Sequence, residues 1–197
     1  MPELLGPLIT FCFSTSITPG PNVIMVTASG ATFGFRRTLP HLLGISLGFP
    51  VMVIAIGLGL GAVFQAVPLL HDGLKIVGSA YLLYLAWRIA TAERPREGRS
   101  SGRPLTFLQA AAFQWVNPKA WVIGVSAVSA FSTLELSPLA NAAIIAFVFG
   151  AMAFPCSAVW AGFGTAIGRL LTSPRALRGF NLAMGALTAL SVVLIFV

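Results

Sequence analysis

The chain has 197 residues, 57% of them hydrophobic and 9% charged, with a mean hydropathy of +0.91. No soluble domain of this size has a core large enough to hold so much apolar material, so the composition points to a polytopic membrane protein. The formal charge of +7 does not mark a nucleic-acid binder, because its basic residues follow a topological pattern and the basic linker carries no aromatics to stack bases.

The first apolar run covers about 4–30, longer than the ~20 residues that cross a ~30 Å hydrocarbon core. Met1-Pro2-Glu3 ahead of it has no basic region, so the run reads as a retained first helix and not a cleaved signal. Thr18-Pro19-Gly20-Pro21-Asn22 interrupts its middle. Pro19 cannot donate to the carbonyl of Thr15, nor Pro21 to that of Ile17, and each ring crowds that carbonyl. Carbonyls freed in hydrocarbon are costly, so the broken turn has to face protein or a wet cavity. A new half-helix is expected at Pro21, which suits a first helical position. Its free N–H groups and positive dipole end make a seat for a carboxylate. A kinked helix repaired by its neighbours is the plainer alternative.

Five further apolar runs follow, at about 39–67, 74–92, 106–130, 139–168 and 177–197. Gly34-Phe35-Arg36-Arg37 and the stretch 68–73 are read as punctuation between the first three. The hydrophilic stretch 93–105 divides the chain into two triplets, 1–92 and 106–197, and 131–138 and 172–175 separate the last three runs. In a six-span arrangement Arg36, Arg37, Arg88, Arg94, Arg96, Arg99, Arg103, Arg169, Arg175 and Arg178 all fall on one side. The other side has Lys75, with Glu3, Asp72 and Glu135. The positive-inside rule makes the arginine side cytoplasmic and both termini external.

Three helices per half oblige the second half to run opposite to the first, so an internal repeat is an inverted one. Pro19-Gly20-Pro21-Asn22 breaks the first run of one half, and Asn117-Pro118-Lys119 breaks the first run of the other. Matching interruptions of this kind are a sequence pointer to a transport site. The expected fold is therefore all-α and membrane-embedded, with six transmembrane helices in two inverted three-helix halves and broken helices 1 and 4. Gly44-x-x-x-Gly48, Gly57-x-x-x-Gly61 and Gly164-x-x-x-Gly168 place glycines where helix backbones can meet, although glycine is common in membrane helices in any case. Trp87 beside Arg88 reads as an interfacial anchor, and His41 as an interfacial residue near a helix end.

Lys119 is the sharpest chemical signal. It lies about 12 residues into the fourth run, roughly 18 Å deep at ~1.5 Å per residue. An ammonium there costs at least about 2.5 kcal/mol and marks a functional site facing the bundle interior. Pro118 frees the carbonyl of Gln114, and Asn117 sets an amide beside it. Thr18, Pro19, Gly20, Pro21, Asn22, Gln114, Asn117, Pro118 and Lys119 together offer oxygens for an ammonium and a cation with N–H groups for a carboxylate, the two ends of a zwitterionic amino acid. Lysine or arginine would bring a second positive charge with no deep Asp or Glu to pair it, so small neutral substrates are expected. The residues show no metal-ligand spacing and no phosphate loop with its lysine, so no cofactor, metal or ATPase activity is expected.

Thr18-Pro19-Gly20-Pro21-Asn22, Gly34-Phe35-Arg36, Gly78-Ser79-Ala80-Tyr81-Leu82 and Asn117-Pro118-Lys119 resemble the lysine-exporter (LysE/RhtB) family of amino-acid efflux proteins over essentially the whole chain. The resemblance implies a six-helix inner-membrane exporter, not an enzyme, that moves amino acids or derivatives outward in exchange for protons; a homo-oligomer stays open. Gly44-Ile45-Ser46-Leu47-Gly48-Phe49, Leu85-Ala86-Trp87-Arg88-Ile89-Ala90-Thr91 and Phe113-Gln114-Trp115-Val116-Asn117 look most like the cysteine and O-acetylserine exporter branch. The chain departs from the pattern at Phe154-Pro155-Cys156-Ser157, where some relatives carry an aspartate. No Asp or Glu lies deep in any run, which leaves Lys119 as the buried group able to carry a proton. Two other classes remain beside export of neutral or basic amino acids. A thiol redox carrier needs cysteines at the breaks, whereas Cys12 lies nearly two turns before Pro19 and Cys156 lies in the fifth run. A membrane scaffold or receptor gains nothing from a buried lysine and paired breaks.

Overall fold

The structure, a computed structural model, describes residues 2–94, 102–133 and 135–193. Arg96 and Arg99 of the linker and the last residues of the sixth apolar run, 194–197, lie outside the described residues. Among the described residues every regular element is helical.

The first run forms two helices, α1 (Pro2–Ile17) and α2 (Pro21–Phe33). The Thr18 amide still donates to the Ser14 carbonyl at 3.2 Å, and the ladder stops where Pro19 has no N–H to give. Gly20 is extended, and α2 restarts with Pro21 in its first turn. Gly34 then reverses the chain at φ 83, a left-handed conformation that glycine adopts without a Cβ clash. One residue therefore suffices for the turn, and Phe35, Arg36 and Arg37, read from sequence as punctuation, open α3 (Phe35–Ala55). This helix continues into a kink within Ile56–Leu60, where Gly59 takes a non-helical φ of 111, and then into α4 (Gly61–Ala66). The stretch 68–73 is also helical: Pro68 starts α5 (Pro68–Ala90).

In the second half α6 (Phe107–Val116) begins at a capping box between Thr106 and Gln109. Pro118 ends it and starts α7 (Pro118–Phe131). The long α8 (Pro138–Leu170) and α9 (Pro174–Leu190) follow, each with a serine cap and a proline in the first turn.

Among the described residues two helical stretches are long and apolar enough to cross a membrane, Phe35–Val63 with 29 residues and Pro138–Leu170 with 33. The broken runs fail that length test for a physical reason. Half-helices of 16 and 13 residues reach only ~24 and ~20 Å at ~1.5 Å per residue, each short of a ~30 Å core.

Helix α8 is the hub, packing along α1, α2 and α3, while α3 also packs on α6 and α5 on α9. A Cβ on Gly164 or Gly168 would run into the carbonyl of Thr27 or Ala31 on α2, so α2 and α8 touch backbone to backbone. Gly44 and Gly48 do the same against Phe107 and Ala111 of α6. Gly57 and Gly61 lie on either side of the kink at Gly59: Gly57 meets Ala142 and Val128, and Gly61 meets Ile56 and Val125.

Apolar packing separates into two cores. One joins Cys12 of α1, Met52 of α3, Ala127 of α7 and Phe149 of α8. The other joins Val26 of α2, Leu42 of α3, Leu82 and Leu85 of α5, Phe113 of α6 and Ala161 of α8. The breaks at 18–20 and at Asn117 lie where these cores meet. Among the described residues five arginines line two recesses, Arg88 and Arg103 one, and Arg94, Arg175 and Arg178 the other. The Arg94 guanidinium donates to the carbonyls of Gly168 and Leu171, capping the C-terminus of α8. Arg88 donates to the Arg103 carbonyl at 2.9 Å, and Arg175 and Arg178 line the same recess as Arg94.

Candidate functional site

The two interruptions face each other. Lys119, in the first turn of α7, reaches back across the bundle, and its Nζ donates to the Thr18 carbonyl at 2.8 Å and the Pro19 carbonyl at 3.4 Å. It can lie there because Gly20 has no side chain: a Cβ at that position would be 2.9 Å from Lys119 Cδ and 3.1 Å from Nζ. A second bridge joins the half-helices. The Asn22 and Gln114 amides pair reciprocally, Asn22 Nδ2 to Gln114 Oε1 at 2.9 Å and Gln114 Nε2 to Asn22 Oδ1 at 3.3 Å. Gln114 also donates to the Ala110 carbonyl at 2.9 Å and is 1% exposed.

The two breaks differ in how their ends are satisfied. At the α6–α7 break the Asn117 amide nitrogen donates to the Gln114 carbonyl at 3.3 Å, and the Asn117 side chain accepts from the Lys119 N–H at 3.2 Å. That break closes on itself. At the α1–α2 break the Ile17 carbonyl takes the Trp160 indole N–H at 2.9 Å. Thr18 Oγ1 returns to the Ser14 carbonyl at 2.5 Å, and the carbonyls of Thr18 and Pro19 take the lysine. Gly20 caps α2 with no side chain, so the first N–H groups of that helix have no side-chain acceptor.

These positions differ from the sequence expectation in one respect. The carbonyls that proline chemistry frees at Ile17 and Gln114 are taken by protein donors, and the oxygens under the ammonium are those of Thr18 and Pro19. Trp160 escaped the sequence reading. The available signal was an indole well inside an apolar run, whose N–H needs a partner when buried.

A cavity of about 60 Å³ opens beside the lysine. Its polar lining comes from Thr18, Asn22, Gln114, Asn117, Lys119 and Ser157, and its apolar walls from Ile45, Phe49 and Phe149. No carboxylate lines it among the described residues, and no group of His, Cys, Asp and Glu there has the arrangement of a metal site. Cys12 and Cys156 are both free and buried, Cys12 within the first apolar core.

Interrupted helices whose broken ends meet over a half-buried lysine define, as a class, a helical membrane translocator. Residues 13–197 match the family described as LysE type translocator, and the chain belongs to that family. It is similar to the cysteine/O-acetylserine efflux proteins of Escherichia coli strain K12 and of Shigella sonnei strain Ss046, at 34% identity over 173 residues, covering 86% of this chain and 86% of each relative. No solved structure gives a significant match.

Proposed function

We propose that the protein exports small neutral amino acids or their derivatives, in the manner of cysteine, O-acetylserine, serine, threonine or homoserine, from the cytoplasm across the bacterial inner membrane. The observation that carries this reading is the Lys119 ammonium seated on the carbonyls of Thr18 and Pro19, beside the uncapped N-terminus of α2. The carbonyl pair already binds one primary ammonium, so it suits the ammonium of an amino acid. Lys119, displaced from it, is within reach of the carboxylate, which the first N–H groups of α2 complete. Without an acid in the cavity a lysine or arginine substrate would leave one charge unpaired in a low dielectric. The names of the similar efflux proteins point to two of these substrates, cysteine and O-acetylserine.

The six-span arrangement with inverted halves belongs to this proposal, as do the cytoplasmic arginine side, the external termini and exchange for protons. The packing supports it: the α1–α2 pair lies on α8 and the α6–α7 pair on α3, while α3 meets α8 and α5 meets α9, a pattern kept when the halves are exchanged. An apolar core on each side of the break cavity gives two seals for alternating access.

Uptake of labelled amino acids into everted membrane vesicles, with and without a proton gradient, tests substrate and coupling together. Cysteine, O-acetylserine or their short neutral analogues should be taken up, faster with a gradient. Transport of lysine or arginine with none of the neutral set would refute the charge argument.

A further inference from the structure

A second polar cavity lies on the arginine side of the molecule, and the mechanism above leaves it unused. It holds about 240 Å³ between α2, α3, α5 and the segment 102–105. Its polar lining includes Ser29, Thr32, His41, Arg88, Thr91 and Arg103, and Trp87, 62% exposed, stands at its rim. His41 corrects the sequence reading: it is 1% exposed, not interfacial, and neither ring nitrogen has a partner among the described residues. A buried imidazole with both nitrogens unpaired is costly and calls for a cause.

The hydroxyls supply a chemical direction. Thr38 Oγ1 donates to the Gly34 carbonyl at 2.9 Å, so in the Ser29–Thr38 pair at 3.0 Å the proton comes from Ser29. Thr32 donates to Asn181 Oδ1 at 3.1 Å. Both hydroxyls have given their protons to protein and have acceptor lone pairs left. A neutral imidazole adds one acceptor and one donor. Arg88 engages the Arg103 carbonyl and Arg103 is exposed, so both guanidinium groups keep free donors. Acceptors with no carboxylate among the described lining residues, beside two guanidinium groups, match a zwitterion with one ammonium and one carboxylate.

The position agrees. His41 and Ile45 lie one turn apart on α3, about 6 Å at ~1.5 Å per residue, and Ile45 lines the break cavity. Met25, Leu85 and Leu105, which wall the second cavity, belong to the apolar core that separates it from the break. We propose that this recess is a second binding site, a cytoplasm-facing waiting seat in which Arg88 and Arg103 take the carboxylate of the amino acid and His41, with Ser29 and Thr32, takes its ammonium. The proposal rests on the exporter reading for the identity of its ligand.

The test uses the full chain in phosphatidylcholine nanodiscs with labelled O-acetylserine, and vesicle transport in parallel. Lys119→Met, which disables the break site, should retain saturable binding, and adding His41→Leu or Arg88→Gln should weaken that binding about tenfold or more, the loss of a hydrogen bond to a charge. His41→Leu alone should raise KM from the cytoplasmic face about tenfold and leave the maximal rate nearly unchanged, while His41→Gln, with one donor and one acceptor, should restore KM. Absence of binding by the Lys119→Met protein, with wild type still transporting, would overturn the proposal. So would unchanged binding and KM in His41→Leu, or loss of the signal in phosphatidylglycerol nanodiscs, which would assign the recess to a lipid headgroup. Should wild-type vesicles transport no amino acid while His41-dependent binding persists, the exporter reading fails and the recess stands.

Discussion

Replacing Lys119 by methionine keeps the length and apolar stem of the side chain and removes the charge. Two hydrogen bonds are lost, at 2.8 Å to Thr18 and 3.4 Å to Pro19. The Thr18 carbonyl belongs to a residue lining the cavity, where water can take the place of Nζ, and the cost of holding an ammonium deep in the bundle disappears at the same time. Folding should therefore change little, by about 1 kcal/mol or less. Transport should change far more. A substrate carboxylate deprived of its cation in a buried site loses about 2–5 kcal/mol, which at ~1.4 kcal/mol per decade is roughly thirtyfold to three-thousandfold in affinity. Lys119→Arg should fail as well, because a planar fork does not fit the seat of a compact ammonium over Gly20. The assay is concentration-dependent uptake of labelled O-acetylserine into everted vesicles at matched expression. Wild-type affinity in Lys119→Met would refute the assignment and leave the lysine a plug for two carbonyls.

Gly20→Ala probes the same seat from the other side. Its extended backbone, φ −176, accepts any residue, but the new Cβ would meet Lys119 Cδ at 2.9 Å; melting should be unchanged while uptake falls by up to about 100-fold, the effect of an ångström-scale misplacement. Pro19→Ala with Pro21→Ala lets the first helix close its ladder, so stability should hold or rise and transport should fall more than about tenfold as the free N–H groups disappear; undiminished uptake would make the break a packing kink. A reporter fused after Arg99 should read cytoplasmic and one at Val197 external, and a periplasmic signal from the first would overturn the six-span arrangement.

The breaks were legible in the sequence because their cause is local. Proline lacks an N–H wherever the chain puts it, so Pro19, Pro21 and Pro118 announce lost ladder bonds without reference to the rest of the fold. What replaces those bonds was not legible. The partners of Thr18 and Ile17 are Lys119 and Trp160, 101 and 143 residues away, and packing alone brings them there. His41 was misplaced for a related reason. Residues around α3 are apolar on most faces, so the pattern gives no phase to say which face is buried. Composition carries one further trap. Gly57 and Gly61 have the spacing of a contact face, yet the intervening Gly59, at φ 111, kinks the helix between them.

Lys119 couples two breaks that are chemically unequal. The α6–α7 break is complete without any ligand: Asn117 caps the new helix with its side chain, and its own N–H occupies the Gln114 carbonyl. At the α1–α2 break the local chain closes the Ser14 carbonyl, through the N–H and Oγ1 of Thr18, and leaves the oxygens of Thr18 and Pro19 open. Gly20 brings no cap, prolines at 19 and 21 bring no donors, and the carbonyls of Thr18 and Pro19 depend on an ammonium borrowed from α7. A donor on a flexible stem, attached to a different helix, is one that a competing ammonium can displace without unfolding either helix. The self-capped break cannot be displaced in that way, and the Asn22–Gln114 amide pair holds it in register with the open one. An amino acid that replaces Lys119 on the carbonyls would therefore act on the junction of α1 and α2 first; both helices pack on α8, α2 with its backbone in direct contact. On the proposed export reading, α6–α7 with its lysine is the fixed element, and the α1–α2 junction is the hinge whose partner substrate binding changes.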